Sequence, residues 1–142
     1  MSVIKFDTND LKLLSLFEKV TKVRPNDCIT EDGQITFITP EKTAAKAVGK
    51  KGKNILNLKT QLKKDVKIIE FSADPLQLTR NALHPLDIES IELDQETNII
   101  NVKLKTARNR RILLSNNLKK LKELKALIQR YNKEVTDIKI LQ

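Results

Sequence analysis

Apolar residues in the first forty positions are spaced first as in a helix and then as in strands. Asp7 or Thr8 can cap a helix N-terminus. The positions that form the apolar stripe of this helix are Leu11, Leu13, Leu14, Leu16, Phe17 and Val20. Two β-rich runs then flank residues 31–33, where Asp-Gly is a strong hairpin signal. Thr39 and Pro40 predict the cap and first residue of a second helix.

That second helix is expected to break at Gly49 and to be followed by another helix after Gly52. The apolar residues Ile55, Leu58 and Leu62 recur at helical spacing and give the new helix one apolar face. The run "VKIIEF" reads as a closing strand. The predicted order is therefore helix, strand, strand, helix, loop, helix, strand.

The second half of the chain begins with another helix signal. Asp74 is a cap, Pro75 occupies the first helical position and Gln77 the capping-box position, and His84-Pro85 ends the helix. Two alternating strands are expected around residues 95–98. A basic run "TARNRRILL", the triplet "SNN", a long helix and a last strand "VTDIKIL" follow. The apolar face of the long helix is predicted to be Leu118, Leu121, Leu124, Ile128 and Tyr131.

The chain contains the same arrangement twice. "ITEDGQITFITP" corresponds to "IELDQETNIINVKL", "AAKAVGKKGKNILNLKTQL" to "RRILLSNNLKKLKELKALI", and "VKIIEF" to "VTDIKIL". Identity between the halves is slight, but the order of elements and the placement of basic residues repeat. We expect two similar α+β domains, residues 1–73 and 74–142.

Composition limits the kinds of chemistry that the chain can carry. Hydrophobic residues are 39% and charged residues 32% of the 142, which is enough for folded cores. Aromatic residues are only 4%, which disfavours binding folds that stack several bases on exposed rings. Cys28 and His84 are single, so neither a disulfide within the chain nor a zinc site is expected. We expect no cofactor, no metal, no membrane segment and a cytoplasmic location.

The positive charge is concentrated in two blocks. Residues 41–70 carry nine basic and three acidic side chains, and residues 101–142 carry twelve and three. The stretch between them, residues 71–100, carries one basic and six acidic side chains. With a net charge of +9, this distribution points to an acidic partner, although two solvated helical faces are an alternative.

The stretch "GKKG" at residues 49–52 is the sharpest candidate for chemistry. Two of the three glycines of the chain flank Lys50 and Lys51 at the start of a predicted helix. Glycine allows backbone to approach a ligand closely, and a helix N-terminus favours an anion, so phosphate is the expected ligand. The stretch matches neither a nucleoside-triphosphate loop nor a dinucleotide fingerprint. The alternative is that Gly49 is only a helix C-cap and Gly52 only a turn residue.

The GxxG stretch between two helices resembles the KH domain, whose loop clamps the backbone of about four nucleotides. The order α-β-β-α-α-β resembles the type II arrangement. "DCITEDGQITFIT", "AVGKKGKNILNLKTQL" and "VKIIEFSADPLQLTRNAL" resemble the short archaeal NusA family of transcription termination/antitermination factors, which is little more than two tandem KH domains. This resemblance implies a non-catalytic monomer that binds single-stranded RNA near RNA polymerase.

The resemblance also implies the site residues. In the first unit these are Lys46, Val48, Gly49, Lys50, Lys51, Gly52, Lys53, Asn54 and Ile55, with Val48 and Ile55 forming an apolar floor for bases. The second unit departs from the pattern, because Ser115, Asn116, Asn117 and Leu118 stand where a GxxG would be. The basic residues around them are Arg108, Arg110, Arg111, Lys119 and Lys120. Either this unit holds RNA by side-chain charge with little base selection, or its loop has decayed and the unit only packs.

Other functions remain as alternatives. Type II KH units also occur in ribosomal and ribosome-assembly proteins, and a helix–loop–helix could act as a DNA-binding helix-turn-helix. The acidic residues between 89 and 96 are expected to form a solvated strand edge, and Cys28 a small core residue. An enzyme is the least favoured class, because no catalytic set of residues emerges.

Overall fold

A computed structural model of the chain describes residues 6–31 and 33–142. The described residues form two compact units, one reaching to Ser72 and the other Ala73–Gln142. Both units are mixed α+β, which confirms the predicted class. Each has one sheet of three strands.

The first unit follows the predicted order of elements. These are α1 (Thr8–Thr21), β1 (Asp27–Glu31), β2 (Gln34–Thr39), α2 (Ala44–Val48), α3 (Lys53–Leu62) and β3 (Asp65–Glu70). The strand order in the sheet is β1-β2-β3, with β1 and β2 antiparallel and Glu31 opposite Gln34. Strands β2 and β3 are parallel, with Phe37 opposite Ile68. A parallel pair needs a crossover connection, which α2, residues 49–52 and α3 supply.

The core of the first unit centres on Phe17 from α1 and Phe37 from β2, whose rings stack with centroids 4.4 Å apart. Leu58 of α3 is fully buried with them, as predicted for the apolar face of that helix. Ile55 and Leu62 pack against the same core while remaining partly accessible. Burial of one face of α3 therefore fixes which of its residues remain at the surface.

The predicted apolar stripe of α1 was wrong in one respect. Leu11 is 56% exposed, whereas Leu13, Phe17 and Thr21 are the buried residues. Those three positions are four residues apart and lie on one side of a helix, while Leu11 lies about half a turn away from Leu13. The N-cap is Asp7, whose carboxylate accepts a hydrogen bond from the Asp10 N–H at 2.7 Å.

The predicted start of α2 was also wrong. Thr39 is still the last residue of β2, buried and paired with Glu70 of β3. Pro40 precedes a turn in which its carbonyl accepts from the Thr43 N–H at 3.2 Å and the Thr43 Oγ1 at 2.6 Å. The helix begins only at Ala44. Sheet pairing at Thr39 thus outweighs the local preference of Thr-Pro for a helix start.

The second unit repeats the order of the first. Its elements are α4 (Pro75–Leu83), β4 (Ile88–Asp94), β5 (Ile99–Leu104), α5 (Ala107–Leu114), α6 (Lys119–Tyr131) and β6 (Asp137–Leu141). The sheet order is β4-β5-β6, again with one antiparallel and one parallel pair. Helices α5 and α6 form the crossover between the parallel strands β5 and β6. The internal repeat read from the sequence is therefore a repeat of topology as well.

Local signals in the second unit were mostly correct. Asp74 caps α4 by accepting from the Leu76 N–H at 3.0 Å, and Pro75 is the first helical residue. Gln77 was expected to reach back to the cap, but its Nε2 donates to Asn81 Oδ1 at 2.9 Å. An amide four residues further along lies on the same helix face and is within reach of this side chain.

Helix α6 buries a slightly different set from the predicted one. Leu121, Leu124 and Ile128 are buried as expected, and Leu127 joins them. Leu118 is not on the helix, because it lies in the preceding turn with φ of 64°. Lys125 Nζ donates to Asp137 Oδ1 at 2.7 Å, which connects α6 to β6 and lowers the pKa of the Asp137 carboxyl.

Candidate nucleic-acid interface

The first crossover turn, defined here as residues 49–52, is closed by its own backbone. Gly49 ends α2, and its N–H donates to the Ala45 carbonyl at 3.1 Å. The Gly52 N–H donates to the Gly49 carbonyl at 3.0 Å, and the Lys53 N–H to the Lys50 carbonyl. These bonds make a single 3₁₀ turn that leads directly into α3. The N–H groups of Gly52 and Lys53 already donate to carbonyls of the turn. An anion bound here would therefore have to contact groups other than these two.

The two glycines of this turn answer different requirements. Gly49 has φ of 82° and ψ of 165°, and a Cβ there would lie 2.9 Å from the Cγ and Nδ2 atoms of Asn54. Gly52 has φ of 73°, and a Cβ there would lie 3.5 Å from Ile55 Cγ2, an ordinary contact. Backbone strain alone favours glycine at Gly52, whereas Gly49 also faces a steric limit.

The charge around the first turn is accessible. Lys46, Lys50, Lys51 and Lys53 are exposed. None of the ion pairs seen among residues 6–31 and 33–142 involves these four lysines. The first turn of α3 carries no acidic residue, so the positive end of its dipole is not offset locally. An anion at this end of α3 would therefore meet a fixed dipole and several mobile cations.

The two apolar residues expected to form a floor differ in their packing. Ile55 is half-buried and packs against the core of the first unit. Val48, the last residue of α2, is also half-buried. Both keep part of their surface accessible beside the turn, one on each helix of the crossover. The nine predicted residues of the first unit are thus gathered in the end of α2, the turn and the start of α3.

The second crossover turn, residues 115–118, keeps the closing hydrogen bonds of the first without any glycine. The Leu118 N–H donates to the Ser115 carbonyl at 3.0 Å, and the Lys119 N–H to the Asn116 carbonyl. Asn116, Asn117 and Leu118 all have left-handed φ, of 53°, 57° and 64°. Asparagine tolerates this region, but a bulky residue such as leucine adopts it at a cost. The backbone turn is therefore retained despite the loss of both glycines.

Basic side chains surround this second turn. Residues 114–120 are all exposed, and Leu114 and Leu118 are 43% and 38% exposed. The predicted cations lie on α5 and at the start of α6, where Arg110 is half-buried and the exposed ones are Arg108, Arg111, Lys119 and Lys120. Within the described ranges, none of the ion pairs involves them. This surface offers charge and apolar area together.

Sequence reasoning missed two features of the site. One is the contact between Gly49 and Asn54, which depends on how α2 and α3 meet and leaves no local pattern. The other is the left-handed turn at Asn116 and Asn117. A signal for it was present, because consecutive asparagines are among the few side chains that accept left-handed φ.

Alternative sites receive no support from the described residues. Among them no group of three or more His, Cys, Asp or Glu side chains could hold a metal ion. In the same part of the chain, no helix is long and apolar enough to span a bilayer. Cys28 is buried in β1, as expected for a core residue. Of the acidic residues on β4, Glu89 pairs with Lys103 at 3.2 Å.

Known proteins with similar sequences share one name. No family model matches the chain. The probable transcription termination protein NusA of Methanocaldococcus jannaschii is 26% identical over 142 residues, covering 99% of this chain and 77% of the relative. The proteins of the same name from Methanococcus vannielii and Thermoplasma acidophilum are 34% and 24% identical over 88 and 98 residues. The chain is thus similar, at low identity, to archaeal proteins named NusA.

The extent of these matches differs. The Methanocaldococcus jannaschii alignment includes both units of the NusA-like chain. The Methanococcus vannielii alignment covers 62% of the chain and about half, 51%, of that relative. The Thermoplasma acidophilum alignment covers 69% of the chain and 68% of the relative. The crystal structure of APE1850 has a TM-score of 0.76 at 21% identity and covers 96% of this chain and 100% of its own, a likeness of fold.

The geometry of the glycines predicts a ranked loss of stability. Gly52→Ala should lower the free energy of unfolding by about 1 kcal/mol, the cost of left-handed backbone. Gly33→Ala is a matched control, because Gly33 has φ of 75° and open space around it. Gly49→Ala should lose clearly more, since its φ of 82° and ψ of 165° lie in a region essentially restricted to glycine and its Cβ meets Asn54. Urea unfolding measures all three variants, and an equal loss at Gly49 and Gly33 would contradict the steric argument.

Proposed function

We propose that the chain is a non-catalytic RNA-binding factor of transcription termination or antitermination, built from two tandem type II KH domains. The observation that carries this proposal is the first crossover turn, in which Gly49 and Gly52 flank two exposed lysines at the start of α3. The names of the relatives and the repeated α-β-β-α-α-β order support it. The proposed domains are residues 1–73 and 74–142. We expect a cytoplasmic monomer that needs no cofactor.

Single-stranded RNA is the proposed ligand of the first turn. Without side chains at Gly49 and Gly52, the sugar-phosphate backbone can approach the turn closely. Lys46, Lys50, Lys51 and Lys53 can then supply charge-assisted hydrogen bonds to phosphate oxygens, and the α3 dipole adds to their field. The bases would lie over the accessible parts of the side chains on either side of the turn. In this arrangement the charge supplies most of the affinity and the apolar floor orients the strand.

The second turn is proposed to add charge rather than a backbone clamp. Ser115 and Leu118 carry side chains where the first turn has glycine, so RNA backbone would be kept further away. Arg108, Arg111 and the cations at the start of α6 are exposed and can still attract phosphate. Asn116 and Asn117 are exposed in the turn itself. We propose that this unit strengthens RNA binding without selecting particular bases.

Reversing the charge of the first turn is the direct test of the RNA site. Lys50→Asp with Lys51→Asp should weaken binding of a single-stranded RNA by about 1–3 kcal/mol, because charge-assisted phosphate contacts are lost. The matched control is Lys63→Asp with Lys64→Asp, which makes the same charge change at exposed positions beyond the other end of α3. Fluorescence anisotropy at several salt concentrations measures both effects.

For single strands, log affinity falls by about 0.7 per phosphate contact per decade of salt. The slope of the Lys50/Lys51 variant should therefore be shallower by about 1.4, as two contacts are lost. Equal RNA affinities of the Lys50/Lys51 variant and the Lys63/Lys64 control would contradict the assignment of the first turn as the RNA site. Tighter binding of duplex RNA or of DNA by the unaltered protein would favour the ribosomal or the helix-turn-helix alternative.

A second charge reversal tests the second unit. Arg110→Asp with Arg111→Asp should reduce RNA affinity less than the Lys50/Lys51 change does, with little difference between RNA sequences. The measurement is the same anisotropy assay on several single strands of unrelated sequence. No loss of affinity at low salt would support the alternative in which the second turn has decayed.

The transcription role has its own test. We expect an affinity-tagged chain to retain RNA polymerase from a lysate of its source in preference to ribosomal subunits, after nuclease treatment removes RNA bridges. Retention of ribosomal subunits alone would contradict the transcription role and support a ribosomal one. The RNA assays above are independent of this result.

A further inference from the structure

Near the end of each of the helices α2 and α5, one backbone carbonyl accepts a hydrogen bond from a side chain. The two carbonyls occupy equivalent positions, but the side chains that donate to them differ. In the first unit the Lys46 carbonyl accepts a hydrogen bond from Asn54 Nδ2, which reaches back from α3, at 3.3 Å. In the second unit the Ile112 carbonyl accepts from Ser115 Oγ at 3.1 Å. Lys46 is three residues before Gly49, and Ile112 is three residues before Ser115. The donor to this carbonyl therefore comes from the following helix in the first unit and from the turn itself in the second.

The backbone of the first turn leaves no room for a side chain at position 49. A Cβ on this backbone would lie 2.9 Å from Cγ and Nδ2 of Asn54 and 3.0 Å from its backbone nitrogen. A serine at position 49 must therefore take a different backbone conformation, such as that of Ser115. The second unit has exchanged both members, with Ser115 in place of glycine and Lys120 in place of asparagine.

The exchange is accompanied by a change of φ at the first two positions of the turn: besides Ser115, Asn116 has φ of 53°, whereas φ of the equivalent Lys50 is not positive. Gly49 and Ser115 share an extended ψ, 165° and 172°, and differ in the sign of φ, 82° against −81°. Beyond them, both turns close with the same hydrogen bond, Gly52 N–H to Gly49 carbonyl and Leu118 N–H to Ser115 carbonyl, each 3.0 Å. The turn therefore closes in the same way in both units although φ differs in sign at its first two positions.

We propose that Asn54 is a positioning residue, whose amide joins α3 to the end of α2 and so holds the first turn in the conformation seen here. The pairs Gly49/Asn54 and Ser115/Lys120 are then two interchangeable latches for one turn. Asn54 acts on RNA through the shape of the turn, because its amide is already directed at the Lys46 carbonyl and at Gly49. In the second unit the hydroxyl of Ser115 takes over this bond, which leaves position 120 available for an exposed cation.

A double-mutant cycle in the full chain tests the latch. Gly49→Ser alone should lower the urea midpoint of the first unit strongly, and Asn54→Lys alone should lower it less. With both changes the midpoint should recover above that of Gly49→Ser, because the Lys46 carbonyl is then free to accept from the introduced serine, as the Ile112 carbonyl accepts from Ser115. The NMR signals of α3 residues report the midpoint of this unit alone. Asn57→Lys, at an exposed position of the same helix, is the control for added charge and should not rescue Gly49→Ser.

The reciprocal cycle keeps the proposal testable if Gly49→Ser fails to fold. In the second unit, Ser115→Gly should lower the midpoint followed through α6 signals, and adding Lys120→Asn should recover part of the loss. Additive effects in either cycle that folds, or equal rescue by Asn57→Lys, would overturn the latch.

The RNA arm of the experiment rests on the proposed function, whereas the two cycles do not. Asn54→Ala should weaken binding of single-stranded RNA several-fold, and Asn57→Ala should leave it unchanged. The Gly49→Ser/Asn54→Lys variant should bind RNA more tightly than Gly49→Ser does. If the unaltered chain binds no RNA, the proposed function fails while the cycles still decide the latch. If Asn54→Ala loses RNA binding but the cycles are additive, Asn54 contacts RNA directly and the latch is wrong.

Discussion

The parallel pairing of β2 with β3, and of β5 with β6, is the constraint on which both units depend. Two parallel strands cannot be joined by a tight hairpin, so the chain must cross over and return before it can pair again. In each unit the crossover consists of two helices rather than one. The turn between those helices lies outside the sheet, and that is why a sharp and accessible turn exists at all. The proposed RNA site is thus a consequence of how the sheet is connected.

A turn of this kind needs backbone that most side chains resist. In the first unit the problem is solved with Gly49 and Gly52. In the second unit Asn116, Asn117 and Leu118 adopt left-handed conformations, each at some cost in free energy. The closing hydrogen bond of the turn is kept in the second unit without glycine. Glycine in the first unit is therefore tied to a second requirement, the space occupied by the Asn54 amide.

The two turns differ more in what they present than in how they are built. The first turn exposes lysines beside two glycines. The second turn exposes asparagines, leucines and arginines and has no glycine. If both bind RNA, the first is suited to grip phosphates closely and the second to attract them at a distance. A chain that repeats one fold with unequal turns can divide affinity between its halves, and this agrees with the separation of its positive charge into two blocks.

Much of this protein could be read from local patterns. Spacing, turn chemistry and propensity act within a few residues. They predict the hairpins around residues 31–33 and 95–98, the caps at Asp7 and Asp74, the break at Gly49 and the buried face of α3. Tertiary structure decided the rest. Thr39 belongs to β2 because it pairs with β3. Leu11 faces solvent because the stacking of Phe17 on Phe37 fixes the buried side of α1. Leu118 lies in the turn before α6 and not on the helix. The Asn54–Gly49 contact belongs to the same group, since it depends on the meeting of two helices whose separation and angle no short stretch of sequence encodes.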